Sequence, residues 1–205
     1  MKKRILVISD GIVHPSIRAR WNFRQLLTGM DEIECVFSSS IGSLRSLSDG
    51  GFDALAVYLH RGAIPDDALR ALEDFVRGGG GFLPVHSASA SFKTKSRWFE
   101  VIGGRFIGHG KIGPFTLRGI EQEIFGGIRD FTVKDELYLH DYDTANTVHF
   151  VTDTAKGAEP QVWTRSYGRG RVCYFAPGHC APTMRNPGAV EVLERGLRWV
   201  CRSGD

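Results

Sequence analysis

Short apolar runs alternate with amphipathic stretches along the first half of the chain. Three segments have the composition of buried strands: Arg4–Ile8, Ile33–Phe37 and Phe52–Leu59. The third is a nearly continuous apolar run, which indicates a strand covered on both faces. Ser16–Leu27 and the segment that starts at Pro65 have the spacing of amphipathic helices. This alternation predicts an α/β fold with a doubly wound, mostly parallel sheet and helices on both of its faces.

The second half of the chain has a different pattern. From residue 104 to residue 175, β-branched and aromatic residues are frequent and are separated by short turns, of which Ser166–Arg171 has the composition of a hairpin tip. A last amphipathic helix is predicted from Pro187 to Cys201. Because no repeat, linker or low-complexity tract divides the chain, we expect one domain over residues 1–205 with a β-rich second half.

Four consecutive glycines, Gly78–Gly81, mark the most informative segment. They end the predicted helix at Arg77, and Phe82–Val85 then has the composition of a short buried strand. The small residues that follow indicate a sharp turn, which lifts one side chain above the edge of the sheet as in a nucleophile elbow. Here the lifted residue is His86, with Ser87 beside it, and no cysteine is near.

Composition narrows the classes of function. A 205-residue chain with 42% hydrophobic residues and a net charge of +3 is typical of a globular protein that binds neither nucleic acid nor a membrane. No apolar run approaches the roughly 18 residues that a membrane-spanning helix needs. The four cysteines show no paired spacing, which favours reduced thiols and a cytoplasmic location.

Four histidines follow predicted strands. His14 lies after the first strand, His60 after the third, His86 after the fourth and His179 after the strand that ends at Phe175. In a flavodoxin-like order the first, third and fourth strands are neighbours, so their histidines share one rim, where α/β sheets bind ligands. Converging imidazoles suit a zinc-like divalent metal, for which His60 and His86 are the expected ligands. The alternative is a set of loop histidines that are hydrogen-bonded separately.

Glu136 and Tyr138 lie two residues apart on a predicted strand and therefore face the same side, with Asp135 on the other. A carboxylate and a phenol on one wall suit the binding of sugar hydroxyls and general acid–base chemistry. His109 is expected to close another side of this pocket. The alternative is an edge strand with solvated charges. His140 and His149 are expected on the surface.

Several motifs in this order resemble the trehalose-utilisation (ThuA-like) family over nearly the whole chain. They are Gly79–Ala88, Ile102–Phe106 with Gly108 and His109, Asp135–Tyr138, Tyr167–Val172, Pro177–His179, Pro182 with Thr183, Asn186 with Pro187, and Arg195–Trp199. The resemblance implies a class I glutamine-amidotransferase-like fold. Gln122–Ile124 departs from the His-Pro-Ile that many members carry at that place.

The same resemblance bears on the chemistry of the elbow. His86 stands where the amidotransferases carry their cysteine, and His179 resembles their later histidine. Glutaminase activity needs a thiolate at the elbow, so we do not expect it here. A serine mechanism with Ser87 as nucleophile and His179 as base is an alternative, although it also needs an oxyanion hole and a third group that orients the base.

The family's setting in sugar catabolism implies a substrate that is an oxidised (keto) sugar or glycoside, processed by hydrolysis, elimination or isomerisation. We predict His86, His179 and Glu136 as catalytic residues. The predicted substrate-binding residues are His14, His109, Tyr138 and Ser87. Two other classes remain open: a non-catalytic sugar-binding or regulatory module, and a subunit that works beside a sugar dehydrogenase. Assembly as a homo-oligomer also remains open.

Overall fold

The computed structural model describes residues 2–12, 15–121 and 123–201. His14 and Gln122, both considered above, lie outside the described residues. The helices are α1 (Ile17–Thr28), α2 (Asp66–Arg77), α3 (Ser96–Ile102) and α4 (Pro187–Val200). The strands are β1 (Lys3–Ser9), β2 (Ile33–Ser38), β3 (Ala54–Tyr58), β4 (Gly81–Pro84), β5 (Gly104–His109), β6 (Gly113–Gly119), β7 (Phe131–Asp135), β8 (Tyr138–Tyr142), β9 (Thr147–Thr154), β10 (Gly157–Tyr167) and β11 (Gly170–Phe175).

Nine of these strands form one sheet of order β2-β1-β3-β4-β11-β10-β9-β6-β7, while β5 and β8 pair separately. The first five strands in that order are parallel, and the rest add on in antiparallel fashion. The sheet is therefore mixed, with a parallel core. This confirms the predicted α/β fold and its flavodoxin-like order, in which β1, β3 and β4 are neighbours.

Helices cover both faces of the parallel core. Ile5 and Val7 of β1 belong to one hydrophobic cluster, which also contains residues of α1 and α4 such as Phe23 and Leu193. Leu6 and Ile8, which alternate with them along β1, belong to a second cluster that contains residues of α2 and α3. Since successive side chains of a strand point to opposite faces, the apolar runs of the sequence are explained by burial on both sides.

Most predicted elements fall within a few residues of the observed ones, but one strand prediction was wrong. Glu136 and Tyr138 do not share a strand, because β7 ends at Asp135 and β8 begins at Tyr138. Between these residues the chain leaves the nine-stranded sheet and enters the separate β5–β8 pair. No helix among residues 2–12, 15–121 and 123–201 has the length and apolarity needed to cross a membrane.

The glycine run joins α2 to β4, and at three of its four positions a Cβ would come within 3.0 Å of a neighbouring atom. Gly79 has a φ of 115°, a backbone conformation that favours glycine. A Cβ on Gly81 would overlap the carbonyl oxygen of Val200, because the last turn of α4 packs directly on the start of β4. The run therefore ends one helix and lets another approach the central strand.

We predict that Gly81→Ala lowers the free energy of unfolding by about 1–3 kcal/mol, because the added methyl group must push α4 away from β4. Gly62→Ala is the matched control, since a Cβ there meets nothing within 4 Å and that glycine has no positive φ. Equilibrium denaturation of both variants measures the difference. Equal stability of the two would contradict the close packing of α4 on β4.

Candidate active site

Three ionisable side chains converge where β4, β7 and β11 end. His86, Glu136 and His179 each offer a ligand-type atom, and these atoms lie within 4.8 Å of one another. β4 and β11 are parallel neighbours, so the residues that follow them meet at one edge of the sheet. β7 is the last strand in the sheet order, and its end returns to this edge from the antiparallel half.

His86 occupies a strained backbone conformation directly after the β4 segment. Its φ is 50°, in the left-handed region that non-glycine residues rarely adopt, and strain of this kind costs about 1–3 kcal/mol. Two hydroxyl groups hold the turn. Tyr174 donates to the carbonyl oxygen of His86 at 3.0 Å, and Ser89 does so at 3.1 Å. The sharp turn predicted from the small residues is therefore present, and it is fastened from the neighbouring strand β11.

The imidazole of His86 has a defined orientation. Its Nδ1 lies 2.8 Å from the carbonyl oxygen of Ala176, and since a carbonyl only accepts, Nδ1 carries the proton. Nε2 is thus directed to the carboxylate of Glu136, whose Oε2 is 3.8 Å away. Gly178 lets the loop after β11 lie against this ring, because a Cβ there would be 2.9 Å from the Cβ of His86.

Glu136 is the centre of the cluster. Its side chain is only 7% exposed, and its Oε2 lies 3.4 Å from Nδ1 of His179. Oε2 is buried and makes no hydrogen bond with any residue that the structure describes. Oε1 lies 3.9 Å from Nδ1 of His109. Three imidazoles therefore surround one carboxylate. Glu136 comes directly after β7, whereas the sequence pattern had placed it within a strand.

Asp135 fixes the positions of Glu136 and His179. Its carboxylate accepts hydrogen bonds from the backbone N–H groups of Glu136 (2.8 Å), His179 (2.9 Å) and Cys180 (3.1 Å), and from the hydroxyl of Thr183. Burial raises the pKa of this carboxyl, while the four hydrogen bonds oppose the rise. The prediction that Asp135 faces away from the pocket missed this role, because three of its four partners lie 44 to 48 residues further along the chain.

Tyr138 and His109 form an aromatic wall beside the cluster. The ring of Tyr138 lies 4.2 Å from that of His86 and 5.9 Å from that of His109, measured between centroids. Burial, followed by the charges of Glu136 and Asp135, raises the pKa of the Tyr138 phenol, which therefore stays protonated at neutral pH. Tyr138 and His109 thus lie beside Glu136, as the sequence predicted, even though Glu136 and Tyr138 are not on the same strand.

A buried polar network lies behind the elbow. The hydroxyl of Tyr174 is 3.2 Å from Nε2 of His140, whose Nδ1 is 3.1 Å from Oε1 of Glu159. Burial lowers the pKa of His140, although Glu159 opposes this, so the ring is held neutral. The prediction that His140 and His149 are surface residues was wrong, since both are buried. Their side chains lie between strands whose pairing the sequence pattern does not reveal.

Other predicted site residues lie apart from the cluster or lack the expected partners. His60 is exposed, and the group of potential metal ligands found among residues 2–12, 15–121 and 123–201 does not include it. Ser87 is fully buried, and its Oγ makes no hydrogen bond to a described residue. A serine nucleophile needs a hydrogen bond to its base, so this geometry does not favour the mechanism with Ser87 and His179.

Cys180, next to His179, does not supply a thiolate. Burial raises the pKa of its thiol to about 11, and the carboxylates of Asp135 and Glu136 contribute to the rise. At neutral pH the thiol is protonated and weakly nucleophilic. The residue at the elbow itself is His86, as the sequence indicated.

A groove of about 380 Å³ lies beside the site. Its lining includes Gly110, Asp135 and Leu137, which are the chain neighbours of His109 and Glu136. Most of the lining surface is apolar, with Leu139 and Phe115 among its members. The groove is large enough for a small ligand.

Comparison with known proteins agrees with this architecture. The model of a family described as trehalose utilisation matches residues 4–200. A ThuA-like protein from Parabacteroides merdae has a TM-score of 0.83 at 18% identity, with 98% of this chain and 90% of that chain covered. A ThuA-like protein from Bacteroides uniformis has a TM-score of 0.79 at 16% identity, covering 97% and 91%.

A third solved structure is a protein from Salmonella typhimurium LT2 that is described as cytoplasmic. It has a TM-score of 0.72 at 14% identity, with 98% of this chain and 99% of that chain covered. No protein with curated annotation is similar enough in sequence to match. At these identities the structural likeness shows the fold, and the family model shows the family.

We predict that Tyr174→Phe lowers the free energy of unfolding by about 1–3 kcal/mol, because it leaves the carbonyl of the strained His86 and Nε2 of His140 without this hydroxyl. Tyr142→Phe is the control, since Tyr142 is half-buried near the surface, and its loss is expected to stay within about 0.5 kcal/mol. Equilibrium urea denaturation compares the two. A Tyr174 variant as stable as the Tyr142 variant would show that the network does not fasten the elbow.

Proposed function

The chain belongs to the trehalose-utilisation family, and we propose that within that metabolism it acts on an oxidised (keto) sugar or glycoside. The observation that carries the proposal is the convergence of His86, Glu136 and His179 at one edge of the sheet, with Tyr138 beside them. The family implies a role in trehalose utilisation. The keto-sugar chemistry is our inference from the residues of the site.

The keto group of such a substrate acidifies the neighbouring C–H bond, so the reaction needs a base next to a hydrogen-bond donor. Glu136 is the base in this proposal. A carboxylate oxygen takes the proton, the C–H electron pair forms a C=C bond, and the carbonyl π electrons move onto oxygen as an enolate. The position of Glu136 supports this role, because its carboxylate is largely buried and lies within 4 Å of a nitrogen of His86, His179 and His109.

Tyr138 and His179 complete the acid–base set. The phenol of Tyr138 stays protonated because burial raises its pKa, so it is available to donate a hydrogen bond to the enolate oxygen. His179 is 17% exposed and contacts Glu136, so it can pass the proton to solvent or to a leaving group. In isomerisation the enolate takes a proton back at another atom. In elimination the enolate re-forms its C=O bond, its C=C electron pair moves to form a new C=C bond with the next carbon, the C–O bond to that carbon breaks, and His179 protonates the departing oxygen.

The three ligand-type atoms also fit a zinc-like divalent ion. Ligands about 2.0 Å from zinc in tetrahedral geometry lie about 3.3 Å apart. The Glu136 oxygen lies 3.4 Å and 3.8 Å from the two histidine nitrogens, and all three atoms lie within 4.8 Å of one another. Nδ1 of His86 donates to a backbone carbonyl, an arrangement that commonly orients metal-binding histidines. A bound ion would supply a Lewis acid for the carbonyl oxygen. With Oε2 of Glu136 on the ion, the second carboxylate oxygen, Oε1, would be the one that takes the proton.

The location that we propose is the cytoplasm. The Salmonella protein of similar fold is described as cytoplasmic, and Cys35, Cys173, Cys180 and Cys201 are all free thiols here. Free thiols are typical of a reducing compartment.

We predict that Glu136→Gln lowers the turnover of a keto-disaccharide by about 10²–10⁴-fold, because the amide cannot accept the proton. The protein is stripped of metal, reloaded with zinc or another divalent ion, and assayed by product formation. His60→Ala is the matched control and should retain full activity, because His60 is exposed and outside the cluster.

The outcomes separate the three classes of function. Turnover by the wild type that Glu136→Gln abolishes supports the proposal. Saturable binding of the sugar without product under any metal would instead identify a sugar-binding module, and turnover that appears only with a sugar dehydrogenase would identify a partner subunit. If the protein shows no binding and no turnover of keto-sugars, a role for this site in keto-sugar chemistry is refuted.

A further inference from the structure

A second cavity opens at the same edge of the sheet, two strands away from β4. It has a volume of about 400 Å³ and lies where β1 ends at Ser9 and β2 ends at Ser38, beside the first turns of α1. The groove shares no residue with the His86 cluster. We call it the Arg24 groove and define it by six of its lining residues: Ser9, Arg20, Trp21, Arg24, Phe37 and Ser38.

The Arg24 groove is positively charged. Two guanidinium groups line it, and the described residues of its lining include no carboxylate. Arg20 donates to the carbonyl oxygen and hydroxyl of Ser9 and to the carbonyl oxygen of Gly11, so it is held in place by neutral groups. The guanidinium of Arg24 lies 4.0 Å above the ring of Phe37. Neither arginine forms an ion pair with a carboxylate in the part of the chain that the structure describes.

The rim of the Arg24 groove carries an exposed aromatic ring. Trp21 is 60% exposed and Ile17 is 61% exposed, whereas Trp98 and Trp163 are buried in the core. An exposed indole beside arginines and serine hydroxyls offers a flat apolar surface, two positive charges and several hydrogen-bonding groups. This combination matches a ligand with a ring and an anionic group, since arginine binds phosphate and carboxylate in bidentate fashion.

We propose that the Arg24 groove binds a small organic phosphate, with its ring against Trp21 and its phosphate at Arg24 and Arg20. The groove lies at the carboxyl ends of the parallel strands β1 and β2, where α/β sheets bind ligands, and its volume is that of a small-molecule site. The helix α1 links the groove to the other site, since Asn22 donates to the carbonyl oxygen of Ala181 in the loop that carries His179. Helix α1 therefore contacts both the Arg24 groove and the loop that carries His179.

The test is a titration of tryptophan fluorescence and a calorimetric titration with three probes: glucose 6-phosphate, glucose and inorganic phosphate. We expect glucose 6-phosphate to bind at least tenfold more tightly than either of the others, because it alone engages both Trp21 and the arginines. Arg24→Met should weaken its binding at least tenfold. Arg70→Met is the matched control, because Arg70 is also exposed but lies on α2, which covers the opposite face of the sheet.

Four results would overturn the proposal: equal affinity for glucose and glucose 6-phosphate, equal affinity for inorganic phosphate and glucose 6-phosphate, equal binding by the Arg24 and Arg70 variants, or no binding of glucose 6-phosphate by Glu136→Gln. Melting temperatures confirm that both variants are folded, as expected for exposed side chains. Glu136→Gln should leave binding of glucose 6-phosphate unchanged. If Glu136→Gln does not bind glucose 6-phosphate, the ligand lies at the His86 cluster and the proposal is contradicted. If this variant loses only the turnover of keto-sugars, the result concerns the proposed function and not the Arg24 groove.

Discussion

The buried carboxylate of Asp135 is the interaction on which the candidate active site depends. It accepts hydrogen bonds from the chain on both sides of the site: from Glu136, which follows β7, and from His179, Cys180 and Thr183, which follow β11. β7 is at the far end of the sheet order, so only the return of the antiparallel half brings its end to the exit of β4. A carboxylate that is desolvated and has a raised pKa is unfavourable by itself, and its four donors offset that cost.

The second constraint is the strain at His86. A left-handed φ persists only where the surroundings hold it, and here Tyr174 of β11 and Ser89 of the same turn bind its carbonyl oxygen. The hydroxyl of Tyr174 is connected through His140 to Glu159, so the elbow is fastened by β10 and β11 as well as by its own strand. The nucleophile-elbow geometry is thus used here to orient an imidazole, whose Nε2 faces Glu136.

The sequence predicts the parallel half well, because its elements are local. The glycine run, the short buried strand and the small residues after His86 each have a direct physical meaning, and the observed fold agrees with all three. The convergence of His86 and His179 also follows from strand order, and their rings lie 6.1 Å apart. His60 follows β3 but is exposed and does not join them, since the end of a strand fixes a position and not the direction of a side chain.

The antiparallel half could not be predicted to the same degree. The sequence pattern predicted Glu136 within a strand, whereas the chain passes there from one sheet to another. The same pattern predicted that Asp135 faces away from the site, although Asp135 holds Glu136 and His179 in position. The roles of Asp135, His140 and Tyr174 arise from partners that are 19 to 88 residues distant in the chain, for which one sequence gives no signal. The most direct test of the account is the zinc affinity of the wild type and of Asp135→Ala, measured by competition with a chelating dye on folded protein. Since Asp135 cannot itself be a ligand in this account, we expect one zinc per wild-type chain and an affinity about 10–100-fold lower in the variant, as is typical when a residue that orients the ligands is lost. An unchanged affinity, or no zinc bound by either protein, would contradict it.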